Sequence, residues 1–102
     1  VSKIKAAVGG PKDNVGIALM DLDAGTVLNL KAGDRSVTVK LAEPITYQHK
    51  FSIAPIALDE EVVKYGEVIG KATKQIRPGQ HVHVHNMIGL RLGAQLRKEG
   101  RK

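Results

Sequence analysis

The sequence predicts a small all-β domain of short strands joined by tight turns, and three observations carry that expectation. Turn residues recur at short intervals, at Asp23-Ala24-Gly25, Ala32-Gly33-Asp34, Pro44, Pro55, Asp59-Glu60 and Arg77-Pro78-Gly79-Gln80. Glycine, proline and aspartate punctuate a chain in this way because each suits turn backbone for its own steric or hydrogen-bonding reason. Between the turns lie short runs rich in Val, Ile, Leu and Thr, residues that fit a pleated, half-buried surface. No segment before residue 87 sustains the apolar period of a helix, which is about 3.6 residues. Together these features describe a small barrel or sandwich.

Taken in order, residues 1–12 are polar, interrupted by Gly9-Gly10-Pro11, and read as a flexible lead-in. A folded body follows over 13–86, then a basic tail over 87–102. Val15-Gly16-Ile17-Ala18-Leu19 is an apolar run behind Asp13-Asn14 and reads as a buried strand. Thr26-Val27-Leu28-Asn29-Leu30 is the next strand. From 36 to 41, Val37, Val39 and Leu41 alternate with Ser36, Thr38 and Lys40, the two-residue period of a strand with one face buried. Residues 45–53 carry Tyr47, His49 and Phe51 at alternate positions, and residues 54–61 tolerate a short helix through Ala57, Leu58 and Glu60. Two further strands are expected at 61–65, ending at Gly66, and at 68–72. The alternation His81-Val82-His83-Val84-His85-Asn86 reads as the last strand. In the tail, Ile88, Leu92 and Leu96 have helical spacing that Gly89 and Gly93 weaken. No internal repeat and no low-complexity stretch is visible.

Composition narrows the function. A chain of 102 residues makes one domain with one modest core. With 42% hydrophobic but only 3% aromatic residues, namely Tyr47, Tyr65 and Phe51, that core is aliphatic. So few rings argue against single-stranded nucleic acid, which binds by stacking bases on aromatic side chains. The chain has no cysteine, so disulfides, thiolate zinc sites, iron–sulfur clusters and cysteine nucleophiles are excluded. The net charge of +6 is concentrated at one end: residues 91–102 hold a net +4, leaving the body at +2. The charge is therefore a property of the tail and a weak sign of a nucleic-acid face. No apolar run approaches the roughly 18 residues of a membrane span, and the start has no signal-peptide core. The expectation is a cytoplasmic protein without a membrane partner.

The residues with chemistry in them are mostly histidines and lysines. In a strand, His81, His83 and His85 project from one face about 7 Å apart, with Val82 and Val84 on the other. Neighbouring rings at that spacing can share a divalent ion, and neutral imidazole suits several transition metals. The same rings can serve as general acid or base near neutral pH. A solvated polar face produces the same alternation, so both readings stay open. His49-Lys50 can hold an anion through charge-assisted hydrogen bonds. At Lys64-Tyr65-Gly66 an amine and a phenol lie side by side. Phosphate-binding glycine loops and the Gly-x-Ser-x-Gly elbow are absent from the sequence.

Several of these elements occur together in a recognisable order. Ala24-Gly25-Thr26 is followed by His49-Lys50-Phe51. Then come Val63-Lys64-Tyr65-Gly66 with Ile69-Gly70, Ala72-Thr73 and Ile76, and finally Gly79-x-His81-Val82-His83-x-His85-Asn86. This series, spread over 13–86, resembles the SAF domain of the altronate/galactarate dehydratase family. The resemblance implies a small β-clip fold. It also implies a part in a hydro-lyase system that takes water from a sugar acid to leave a 2-keto-3-deoxy product. Sulfolactate sulfo-lyase, whose small subunit is a relative, eliminates sulfite instead. The expected form is a small subunit, inactive alone, beside a larger dehydratase subunit; a non-catalytic module gripping a sugar acid or a partner is the alternative.

By motif match the resemblance implies catalytic roles for His83, His85 and His49, and substrate binding by Lys50, Lys64, Tyr65 and Asn86. It implies a divalent metal, iron(II) or manganese, on His83 and His85 with His81 beside them. The chain departs from the family pattern at two turns. Thr46-Tyr47-Gln48 stands where Pro-x-Gly is usual, and Ala57-Leu58-Asp59-Glu60 lacks a glycine. Both departures bear on loop shape.

Overall fold

A computed structural model describes residues 4–89 of the chain. The all-β expectation holds. The strands are β1 (Ala6–Ala7), β2 (Val15–Ala18), β3 (Val27–Ala32), β4 (Arg35–Lys40), β5 (Lys50–Ser52), β6 (Glu61–Lys64), β7 (Glu67–Ala72), β8 (His81–Val82) and β9 (Met87–Gly89). All pairings are antiparallel and form three sheets, ordered β1-β2-β5-β8, β3-β4 and β6-β7-β9. Among the described residues no helix is long and apolar enough to cross a membrane.

Several local expectations change. The short helix over 54–61 is absent, because Ile56 bridges to Ile76 and residues 58–59 form a turn. The run 45–53 is extended only over β5. The lead-in and the start of the tail join the fold. Ala6 and Ala7 pair with Ala18 and Ile17, and Ala72 and Lys71 of β7 pair with Met87 and Ile88 of β9. The helical spacing read beyond Gly89 lies outside the described residues.

A repeated turn underlies the architecture, although no repeat is visible in the residues. Leu22, Ile45, Ile56 and Ile76 each open one copy and are buried. Three positions on, Gly25, Gln48, Asp59 and Gly79 adopt φ of 86°, 71°, 70° and 88°. Six positions on, Leu28, Phe51, Val62 and Val82 are buried. Each copy is closed by the same backbone bond: Thr26 N–H to Asp23 C=O (3.2 Å), His49 to Thr46 (2.9 Å), Glu60 to Ala57 (3.0 Å) and Gln80 to Arg77 (3.1 Å). The opening aliphatics pair as Leu22 with Ile45 and Ile56 with Ile76. Ala18 donates to His49 and accepts from Gln48, just as Ser52 donates to Gln80 and accepts from Gly79. The two halves of the domain therefore follow one course. The departures at residues 46–48 and 57–60 leave the turn shape unchanged, because Gln48 and Asp59 take the left-handed conformation that glycine usually supplies.

The single expected core divides in two. One cluster gathers Ala18, Leu22, Leu28, Val39, Leu41, Ile45, Phe51 and Ile53, and the other Val15, Ile56, Val62, Ala72, Ile76 and Val82. The β1-β2-β5-β8 sheet separates them. Its registers, Val15 with Ser52, Ile17 with Lys50, Lys50 with Val82 and Phe51 with His81, set one pleat face toward each half, since successive side chains alternate. Val15 and Val82 feed the second cluster; Ala18 and Phe51 feed the first.

Candidate functional site

The site grows from the pairing of β5 with β8. Both strands leave a copy of the turn, one at 45–49 and one at 76–80, and their register sets Phe51 opposite His81. His49, just ahead of β5, thereby meets His81: Nδ1 of one lies 2.8 Å from Nε2 of the other, and the rings stack with centroids 4.9 Å apart. One ring carries the proton of this bond and the other accepts it.

Beyond His81 the expected strand to Asn86 stops after two residues. The buried side chain of Asn86 turns the chain. Its Oδ1 accepts from the His83 N–H (2.9 Å) and its Nδ2 donates to the His81 carbonyl (2.8 Å). The N–H groups of Asn86 and Met87 both donate to the His83 carbonyl, at 3.0 and 2.9 Å. Val82 stays in the core while Val84, expected on the same face, is 80% exposed at the tip. The turn nevertheless keeps the rings together: His83 lies 5.1 Å from His49 and 5.5 Å from His81, and His85 lies 5.3 Å from His81, centroid to centroid. All four histidines of the chain thus share one cluster. His83 and His85 are exposed; His49 and His81 are half-buried.

Burial, and behind it the charges of His49, His85 and His83, hold the His81 imidazole below its ordinary value, with Glu43 acting weakly the other way. Glu43 also accepts from the His81 backbone N–H at 3.0 Å. One nitrogen from each of His49, His81 and His83 lies within 4.8 Å of the others. The trio that converges is thus not the His81-His83-His85 set read from the sequence: His49 takes the place of His85.

Of the residues expected to bind substrate, Asn86 lies within the histidine turn and Lys50 lies apart from it. Lys50 shares a register with Ile17 and Val82, so the pleat sets it on the opposite face of the sheet from His81. Burial first, and then the charge of Lys64, push the Lys50 amine below its ordinary value. Among the described residues the ion-pair contacts hold only Lys71 and Asp59, so neither Lys50 nor Lys64 meets a carboxylate there. Lys64 lies 5.5 Å over the Tyr65 ring. Asn86 spends both halves of its amide inside the turn, where it positions His83.

Two acids of structural weight have no signature in the linear pattern. Glu43 is distant in sequence from the histidine it supports. Asp13, only 2% exposed, accepts from the backbone N–H groups of Gly9 (2.9 Å), Tyr65 (2.8 Å) and Gly66 (2.8 Å). It ties the segment before β2 to the β6–β7 turn. The one available signal is the placement of Asp13-Asn14 directly ahead of a buried strand.

Residues 5–89 match the altronate/galactarate dehydratase SAF domain. The chain is 42% identical over 74 residues to altronate dehydratase of Escherichia coli, covering 72% of this chain and 14% of that protein. It is 36% identical over 75 residues to altronate dehydratase of Bacillus subtilis, covering 74% and 14%. It is 37% identical over 78 residues to the (2R)-sulfolactate sulfo-lyase subunit alpha of Chromohalobacter salexigens, covering 74% and 83%. The chain thus spans about one-seventh of the dehydratases it matches. A match over nearly the whole described body, on an all-β fold, shows that the chain belongs to the altronate/galactarate dehydratase SAF-domain family.

Proposed function

We propose that this domain serves a cytoplasmic sugar-acid hydro-lyase of the altronate/galactarate dehydratase type, lending imidazoles to an active site completed by a larger lyase body. The observation that carries this reading is the four-histidine cluster across β5, β8 and the following turn. Loss of water beside a carboxylate needs a base to take the proton from the carbon next to that carboxylate. It also needs an acid to protonate the departing hydroxyl. The C–O bond breaks as the C=C bond forms, water leaves, and the resulting enol tautomerises to the 2-keto acid. Imidazole is suited to both transfers near neutral pH.

His83 and His85 are the exposed rings of the cluster and the ones a substrate reaches. His85 lies outside the converging nitrogens of the other three, so it is the ring left to move a proton. His49 and His81, half-buried and bonded to each other, orient the group. Lys50 lies on the sheet face opposite His81, and Lys64, beside Tyr65, is near enough for its charge to act on the Lys50 amine. They meet a carboxylate away from the reacting carbon, and an acidic side chain of the docked lyase body fits that position better than the reacting end of the substrate.

Elimination of sulfite from sulfolactate is the second reading, favoured by a match that spans 83% of the sulfo-lyase subunit. Co-expression with a larger lyase chain, followed by assays on altronate, galactarate and sulfolactate, separates the two. The hydro-lyase reading expects turnover of a sugar acid only when both parts are present. It also expects His85→Ala and His83→Ala each to abolish that turnover while the complex stays intact. Wild-type turnover in both variants leaves the domain a non-catalytic binding module.

A further inference from the structure

We infer that His49, His81 and His83 form a three-imidazole binding site for a divalent ion of the iron-to-zinc class, with His85 outside it. The site itself stands on geometry; its use in lyase chemistry rests on the reading above. Imidazole nitrogens bind such ions at about 2.0–2.1 Å, which places neighbouring ligand atoms roughly 3.0–3.4 Å apart. His49 Nδ1 and His81 Nε2 already stand 2.8 Å apart, and one nitrogen of His83 lies within 4.8 Å of a nitrogen of each ring. Seating an ion opens the first pair by a few tenths of an ångström and draws in His83, an exposed ring able to turn about its side-chain bonds.

The support around the ligands fits the same purpose. The β5–β8 pairing sets His49 beside His81, and Asn86 holds both His83 and His81, its Oδ1 accepting from the His83 N–H and its Nδ2 donating to the His81 carbonyl. Glu43 holds the His81 backbone N–H. Such outer contacts hold ligands in place ahead of the ion. Proton accounting is simple. Without the ion, one proton sits between His49 Nδ1 and His81 Nε2. With it, both nitrogens present lone pairs and each ring keeps its proton on its other nitrogen, His49 Nε2 and His81 Nδ1. Neutral rings therefore exchange tautomers with no net proton release.

The donor set also selects the ion. Three neutral nitrogens, in a chain without thiolates, favour iron(II), cobalt(II), nickel(II) or zinc(II). Manganese, magnesium and calcium prefer oxygen ligands and stand lower in affinity. Three protein ligands would leave an ion room for a water or a substrate oxygen. An ion there would supply Lewis acidity to a substrate oxygen.

The test uses the metal-stripped full chain, titrated with zinc(II) by calorimetry, with cobalt(II) by visible absorption and with manganese(II) by its spin resonance. The expected result is one equivalent of zinc or cobalt bound at low micromolar concentration or tighter, with manganese at least about 100-fold weaker. His49→Gln, His81→Gln and His83→Gln each weaken zinc binding by at least about tenfold, whereas His85→Gln changes it by less than about threefold. Thermal unfolding in chelator separates ligand loss from misfolding. No zinc binding in the folded wild type, a His85→Gln loss as large as that of His49→Gln, or manganese binding equal to zinc would overturn the site. Because the readout is binding by this chain alone, a failed lyase assay with intact zinc binding counts only against the lyase reading.

Discussion

The four turns of the domain share a backbone but not a destination. Turns 22–26 and 56–60 lead into β3 and β6, each of which pairs with its own returning strand, β4 or β7. Turns 45–49 and 76–80 lead into β5 and β8, which pair with each other. In the first case the exit residues, Val27 and Glu61, are exposed. In the second, His49, the last residue of its turn, and His81, the exit residue of the other, are brought within hydrogen-bonding distance. The difference teaches that the scaffold repeats while the chemistry comes from the long-range pairing. A hairpin exit faces its own partner strand, whereas the β5–β8 seam joins side chains from the two halves.

Substitutions can break or sharpen this comparison, and the largest expected effect lies at Gly79. It shares its φ with Gly25, but a Cβ at Gly79 would collide with the Lys40 carbonyl oxygen and crowd the Ala42 N–H, while one at Gly25 meets nothing. Gly79→Ala should cost about 3–5 kcal/mol, the sum of left-handed strain and backbone overlap. Equal denaturation midpoints for Gly79→Ala and Gly25→Ala would show that the close approach of the halves carries no energy. Asp13 comes next, since it bonds the first half to the β6–β7 turn. Asp13→Ala leaves three backbone N–H groups without their acceptor and should cost about 2–4 kcal/mol.

The same carboxylate sets a pH dependence. Burial alone would raise its pKa, but backbone bonds from Gly66, Tyr65, Gly9 and Gly10 outweigh it and hold the value below the ordinary 3.8. A lowered native value means that the stabilisation is complete above that ordinary value and is lost as the pH falls through the native one. Asp13→Asn should therefore flatten the acid limb of a stability–pH curve below about pH 4; a limb as steep as wild type would assign it to other groups.

Smaller effects read the turn itself. Gly25→Ala should cost about 1–2 kcal/mol from φ alone. At the exposed Gln48, where φ is already 71°, Gln48→Gly should stabilise by about 0.5 kcal/mol, the strain relieved less the added freedom of the unfolded chain. A destabilising Gln48→Gly would mean that the Gln48 side chain supports the histidine face.

Much of this was legible beforehand. Val37, Val39 and Leu41 alternate with polar residues, and that local period is enough to predict β4. The His81-x-His83-x-His85 spacing and the Lys64-Tyr65-Gly66 turn were visible as motifs, and their order pointed to the family. The turn repeat was harder to see, because it is written as buried aliphatics six positions apart with a left-handed residue between them, and Gly, Gln, Asp and Gly fill that middle position. The alternation reads Asn86 as a strand end, whereas its side chain bonds back to His83, a contact that no periodicity records.

From the sequence by itself come the strand-forming segments, the aliphatic core, the absence of thiol chemistry and the histidine-rich end, since each depends on residue type and short-range spacing. Only the tertiary structure decided that His49 joins His81 and His83, that His85 stands outside their converging nitrogens, and that Lys50 lies on the other face. The physical reason is that strand register is a long-range choice. One antiparallel alignment of β5 on β8 determines which side chains share a face, and a shift of one residue would have exchanged them.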